Sequence, residues 1–201
     1  MDSNLTRRGV FRTLLASVAV LALPHAAFAL NDAEARELID RAIGEVHSVI
    51  NSGKPEAAMI ADFEGIFIRY ADTATIARSA LGIAARSASA SQMSAFTLAF
   101  RGYISRKYGR RFREFIGARI EVTGARPLKS FYEVRSIAYL RGEAPFELLW
   151  HVSSGSGRNL FFNIIIEGVN MLASERTEIG AMLDRRHGNI DLLIGDLKVS
   201  G

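Results

Sequence analysis

Residues 160–171 read LFFNIIIEGVNM, bounded upstream by a turn-like SSGSGR at 153–158. Between such limits an apolar run reads as one strand of a sheet. A strand with one face in water alternates apolar and polar side chains. Here one face carries Leu160, Phe162, Ile164 and Ile166, and the other Phe161, Asn163, Ile165 and Glu167. Both faces are largely apolar, so the second must also be covered. A central strand, between helices and its own curled sheet, meets that need; so does an apolar cavity.

Three runs upstream share the strand period: ARIEVTG (118–124), SFYEVRSIAYL (130–140) and PFELLWHVSS (145–154). Unlike the fourth, they keep one polar face, with Arg119, Glu121, Thr123, Glu133, Arg135, Glu147 and His151. Short breaks between them predict a four-stranded antiparallel meander.

Helical periods flank the strands. Leu38, Ile39, Ala42, Ile43, Val46, Val49 and Ile50 fall on one stripe over residues 32–52. Asp32 is the expected N-cap, and Gly53 with Pro55 the stop. A second helix from Pro55 places Met59, Ile60, Phe63, Ile66, Phe67 and Tyr70 inward. Asp72 or Thr73 caps a short third, and a fourth runs from about Ser91 to Phe115. A fifth begins near Ser174 and closes at Arg185-Arg186-His187-Gly188; the last carries Leu192, Leu193 and Leu197. The class is α+β: a curved four-stranded antiparallel sheet with helices packed on one side.

The first 29 residues have a different character. Arg7 and Arg8 precede an apolar run from Leu14 to Leu23, and Ala27-Phe28-Ala29 has the form of a cleavage site. This is the pattern of a cleaved signal peptide, too short in its apolar part to span a bilayer stably. Thr6-Arg7-Arg8-Gly9-Val10-Phe11-Arg12 resembles a twin-arginine export signal, which leaves that route and general secretion both open. Residues 30–201 then form one domain. Removing the leader takes away three arginines and one aspartate, so the formal charge drops from +4 to +2.

Little in the domain points to catalysis. Cysteine is absent, which excludes disulfides and thiolate metal sites. His47, His151 and His187 are far apart and lack ligand spacing. SSGSGR lacks the Gly-Lys-Ser/Thr ending and following helix of a phosphate loop. Asp62 and Glu64, at i and i+2, point to different sides of a helix. Six cations fall within residues 101–113: Arg101, Arg106, Lys107, Arg110, Arg111 and Arg113. They form either a solvated helix face or a docking patch for lipid head groups or an acidic partner. Export argues against nucleic acid as that partner.

Aromatic residues are numerous for so small a core: Phe63, Phe67, Tyr70, Phe96, Phe100, Tyr103, Phe146, Trp150 and Phe162. Rings and isoleucines around a gap would enclose an apolar cavity, the usual form of a small-molecule site.

The stretch from Asp72 to Phe112 (DTATIARSALGIAARSASASQMSAFTLAFRGYISRKYGRRF), four strands and IIIEGVNML at 164–172 together resemble the MlaC, or toluene-tolerance, family. The matching positions include Asp72, Ile76, Ala77, Leu81, Gly82, Gln92, Phe96, Phe100, Tyr108, Glu167, Gly168 and Val169. The resemblance runs from about residue 35 to the end of the chain. Departures from the usual pattern are Asn159 and Asn163 in the last strand, Ala85-Arg86, and Asn170.

The resemblance implies a periplasmic lipid carrier rather than an enzyme. Its ligand would be a phospholipid; its partners would be an inner-membrane ABC lipid transporter complex and an outer-membrane lipoprotein complex. Another lipid such as a hopanoid, a lipid-acting enzyme, or a structural module without ligand are the competing readings. Ile66, Phe67, Tyr70, Phe96, Phe100, Tyr103, Leu148, Trp150, Phe162, Ile164 and Ile166 are the expected wall of the cavity. Arg106, Lys107, Arg110 and Arg111 are expected at its mouth or on a docking surface.

Overall fold

The computed structural model describes residues 30–201; the expected leader lies outside the described residues. Among the described residues, six α-helices accompany one antiparallel sheet. Helix α1 (Asp32–Ile50) starts at a capping box: Asn31 accepts from the Glu34 amide at 3.0 Å, and Glu34 accepts from the Asn31 amide. The cap is therefore Asn31, one residue before the expected Asp32. Helix α2 (Glu56–Tyr70) follows Pro55, and Asp72 caps α3 (Thr73–Leu81) by accepting from the Thr75 amide. Ser89 and Gln92 form a second capping box at the start of α4 (Ala90–Gly109). That helix ends earlier than expected, and a 3-10 turn spans Phe112–Phe115. Gly109 is where α4 meets α2: a Cβ there would lie 2.8 Å from Ile60 Cγ1.

The sheet has five strands rather than four, in sequential order: β1 (Arg119–Leu128), β2 (Phe131–Tyr139), β3 (Phe146–Ser153), β4 (Leu160–Ile166) and β5 (Val169–Asn170). The stretch 160–171 is thus not a single strand. It reverses at Glu167 (φ 49°) and Gly168 (φ 81°), and Ile166 pairs with Val169 across the turn. Positive φ at both central residues is the turn geometry that matches strand twist in a two-residue hairpin. Asn170 then caps α5 (Met171–Arg185) by accepting from the Ala173 amide, and α6 (Ile190–Val199) closes the fold.

In the sheet order β4 lies between β3 and β5, but β5 is only two residues long. The outer edge of β4 is covered by β5 at one end and by the α2–α3 link at the other, where the Asp72 amide donates to the Phe161 carbonyl at 2.8 Å. Unpaired strand edges invite association, and this one is masked along much of its length.

Helix α1 packs on β1 and β2, α2 on α1 and α4, α6 on α4, and α5 on α3. Between helices and sheet lies the main core, in which Ile39, Phe96, Phe100, Val134, Val152, Ile179, Leu193 and Leu197 are fully buried. A smaller cluster, Ile50 and Met59 with Phe63 and Phe115, is joined to it through Val46 and Val49. No described helix is long and apolar enough to cross a membrane.

Candidate functional site

Strand register decides which side chains meet the helices. Val134 of β2, Trp150 of β3 and Ile164 of β4 lie in one row, with Ser136, Leu148 and Ile166 in the next. Trp150 Nε1 donates to Ser136 Oγ at 2.9 Å, so the indole's polar atom is satisfied while its ring turns inward. A bulge in β4 opposite His151 and Val152 then breaks the alternation. Phe161 pairs with Val152 and joins the helix-facing side, its ring edge-on to Trp150 at 5.5 Å and 6.4 Å from Phe67. Phe162 turns to the opposite face, edge-on to Phe131 at 5.3 Å and 5.7 Å from His151, although it still borders the main core.

The expected wall therefore divides. Ile66, Phe67 and Tyr70 of α2, and Phe96, Phe100 and Tyr103 of α4, are buried and packed together. Leu148 is buried on the helix-facing side of the sheet, and Trp150, Ile164 and Ile166 on that side are half-buried. Phe162 is on the other face; Phe161 takes its place. An enclosed cavity between helices and sheet is not seen among the described residues, where the rings close on one another. Two hollows lie on the helical layer: about 520 Å³ between α3 and α4, and about 300 Å³ between α1 and α2.

On the opposite sheet face, Ile137, Leu149 and Ile165 are half-buried, with Leu149 directly across from Ile165. Asn163 is buried there, accepting from the Leu172 amide at 3.2 Å and lying 3.4 Å from His151 Nδ1. The two late departures from the family pattern thus serve the start of α5: Asn170 caps it and Asn163 anchors it. Burial holds the His151 pKa below its ordinary value, partly countered by Glu133, whose carboxylate lies 3.6 Å away.

The cationic run is largely tied down. Arg106 donates to the carbonyls of Leu197 and Ser200, closing the end of α6. Lys107 bridges Glu175 at 2.7 Å and Glu178 at 2.6 Å on α5. Tyr108 donates to Glu175 and Tyr103 to Glu178, each at 2.5 Å. Burial alone would lower the Lys107 pKa, but hydrogen bonds to the two carboxylates outweigh it and raise the value. Burial first, then the hydrogen bond to Glu178, pushes the Tyr103 phenol up; burial and Glu175 do the same to Tyr108. Arg101 approaches Glu64 at 3.6 Å and Arg111 pairs with Glu114. Arg110 is exposed and its side chain makes no hydrogen bond or ion pair among the described residues, its amide donating to the Arg106 carbonyl, so Arg110 and Arg111 are the docking candidates still facing solvent. Asp62 pairs with Lys54, far in chemistry from Glu64; the two carboxylates do not act as a couple.

These features define an α+β protein whose open antiparallel sheet turns an apolar, ring-bearing face toward a helical layer. Residues 40–199 match the family model described as MlaC protein, and the chain belongs to that family. Its fold is similar to that of a phospholipid-binding protein from Ralstonia solanacearum, solved in complex with a phospholipid. The TM-score is 0.70 at 18% identity, over 81% of this chain and 94% of that one. At that identity the likeness is one of fold.

Proposed function

We propose that the protein binds a phospholipid by its acyl tails between the helical layer and the sheet, and carries it across the periplasm between membranes. The observation that carries this reading is on the helix-facing side of the sheet. Val134 and Val152 are fully buried there, yet Trp150, Ile164 and Ile166 beside them are only partly buried. An apolar surface left partly open beside a helical cover is where acyl chains gain most by entering. Each CH₂ removed from water contributes about 0.8 kcal/mol, so two sixteen-carbon tails represent roughly 20–25 kcal/mol. To admit them, Phe67 of α2 must part from Phe161 of β4, whose rings lie 6.4 Å apart.

Membership of the MlaC family and the phospholipid held by the Ralstonia protein support this reading. The leader-like residues 1–29 support export to the periplasm. The carrier's donors and acceptors would be an inner-membrane ABC lipid transporter complex and an outer-membrane lipoprotein complex, with Arg110 and Arg111 on the docking surface. Solvent extraction of the purified protein, followed by mass spectrometry, tests the binding step. Co-purified phospholipid is expected; a lipid-free protein that takes none from vesicles would overturn it.

A further inference from the structure

The hollow between α1 and α2 has the build of a mouth. Its lining is mixed: Val49 and Ile66 are the apolar residues, beside Ser48 and Ser52; Ile66 belongs to the main core, and Val49 lies where the main and smaller hydrophobic clusters join. Its rim is charged, but evenly so. Lys54 pairs with Asp62 at 2.6 Å, and Arg69 pairs with Glu45, which also accepts from the Tyr70 hydroxyl. Asp62 and Arg69 are separated by seven residues of one helix, which sets the two pairs roughly 10 Å apart along its axis. The rim thus offers two cations and two anions, with no net charge, above a seam in the hydrophobic interior.

We infer that this hollow is the head-group site of the proposed carrier, and that it selects a head bearing both a phosphate and an ammonium. The inference rests on the lipid-binding reading and adds the chemistry of the head. Tails entering at the Val49 seam leave the head at the rim. A zwitterionic head exchanges into two existing ion pairs without leaving a charge over: its phosphate faces Lys54 or Arg69, and its ammonium faces Asp62 or Glu45. A head with only negative charge leaves a carboxylate of the rim repelled and unpaired. The rim pairs are half-exposed, so the preference is modest, of the size of a solvent-screened ion pair.

The test presents the full-length exported protein with vesicles of equimolar phosphatidylethanolamine and phosphatidylglycerol and measures the bound lipids by mass spectrometry. The expected result is an enrichment of the zwitterionic lipid by roughly fivefold. Asp62→Asn and Glu45→Gln each move the ratio toward one, and Asp62→Asn does so without touching the Tyr70 hydrogen bond. A ratio of one in the wild type, or an enrichment that both variants retain, overturns the head-group assignment while leaving phospholipid binding intact. No bound lipid of either kind overturns both.

Discussion

Lys107 and Glu175 meet at 2.7 Å across the α4–α5 interface, where the lysine side chain is 27% exposed and the glutamate 5%. The second Glu175 oxygen is buried with no hydrogen-bond partner among the described residues. Removing the cation would leave that carboxylate desolvated and charged, with only the Tyr108 hydroxyl donating to it. Breaking a buried pair costs about 3–5 kcal/mol. Discounted for the exposure of Lys107, Lys107→Met should destabilise the fold by about 2–3 kcal/mol, read from urea unfolding. A change near zero would show the contact to be idle.

The β4 bulge separates two neighbours that strict alternation confuses. Ile164→Asp and Phe161→Asp, on the helix-facing side, should each lower retained lipid by at least about tenfold. Phe162→Asp should leave retention close to wild type, because its ring faces Phe131 and His151. Circular dichroism of each variant establishes that it is folded before lipid is counted. Loss of lipid in a folded Phe162→Asp protein, with retention in Phe161→Asp, would reverse the assignment of faces.

The β4–β5 turn holds two consecutive residues at positive φ. A side chain in the left-handed region costs about 1–2 kcal/mol, so Gly168→Ala should destabilise by about that amount. Asparagine tolerates the same region better than glutamate, and Glu167→Asn should stabilise by about 0.5 kcal/mol. Thermal melts of the two variants should shift in opposite directions.

His151 makes stability depend on pH in a definite window. Burial holds its folded pKa below the ordinary 6.5, so the unfolded chain binds its proton more readily. Its contribution is complete above pH 6.5 and is lost as pH falls from there through the lowered folded value. Glu45, held low chiefly by the Tyr70 hydrogen bond, loses its contribution in a separate window, as pH falls below its ordinary 4.5. Urea midpoints from pH 8 to pH 5 should therefore decline less steeply in His151→Gln than in the wild type. Parallel curves would remove His151 from the account.

Local pattern identified most elements and misjudged their ends. The spacing of Leu38, Ile39, Ala42 and Ile43 marks α1, and Asp72 caps α3 as expected. Asn31 and Asp32 are both capable N-caps, and only the chain's entry direction chooses between them. A bulge leaves no trace in an apolar run, since Phe161 and Phe162 are equally suited to either face. Their adjacency was the one available hint. In the sequence the Glu167-Gly168 pair reads as continuing strand, because a two-residue β5 is too short to show a period.

By itself the sequence determined the α+β class, the order of helices and strands, the cysteine-free chemistry and the family, since each rests on composition or on neighbours a few residues apart. Tertiary structure alone decided that the cations Arg106 and Lys107 are tied to α6 and α5, that Phe161 rather than Phe162 meets Trp150, and that the rings close on one another. Those outcomes depend on partners such as Glu175, 68 residues beyond Lys107. Side-chain periodicity reports which face of an element is apolar, and pairing across such a distance is set only when the elements pack.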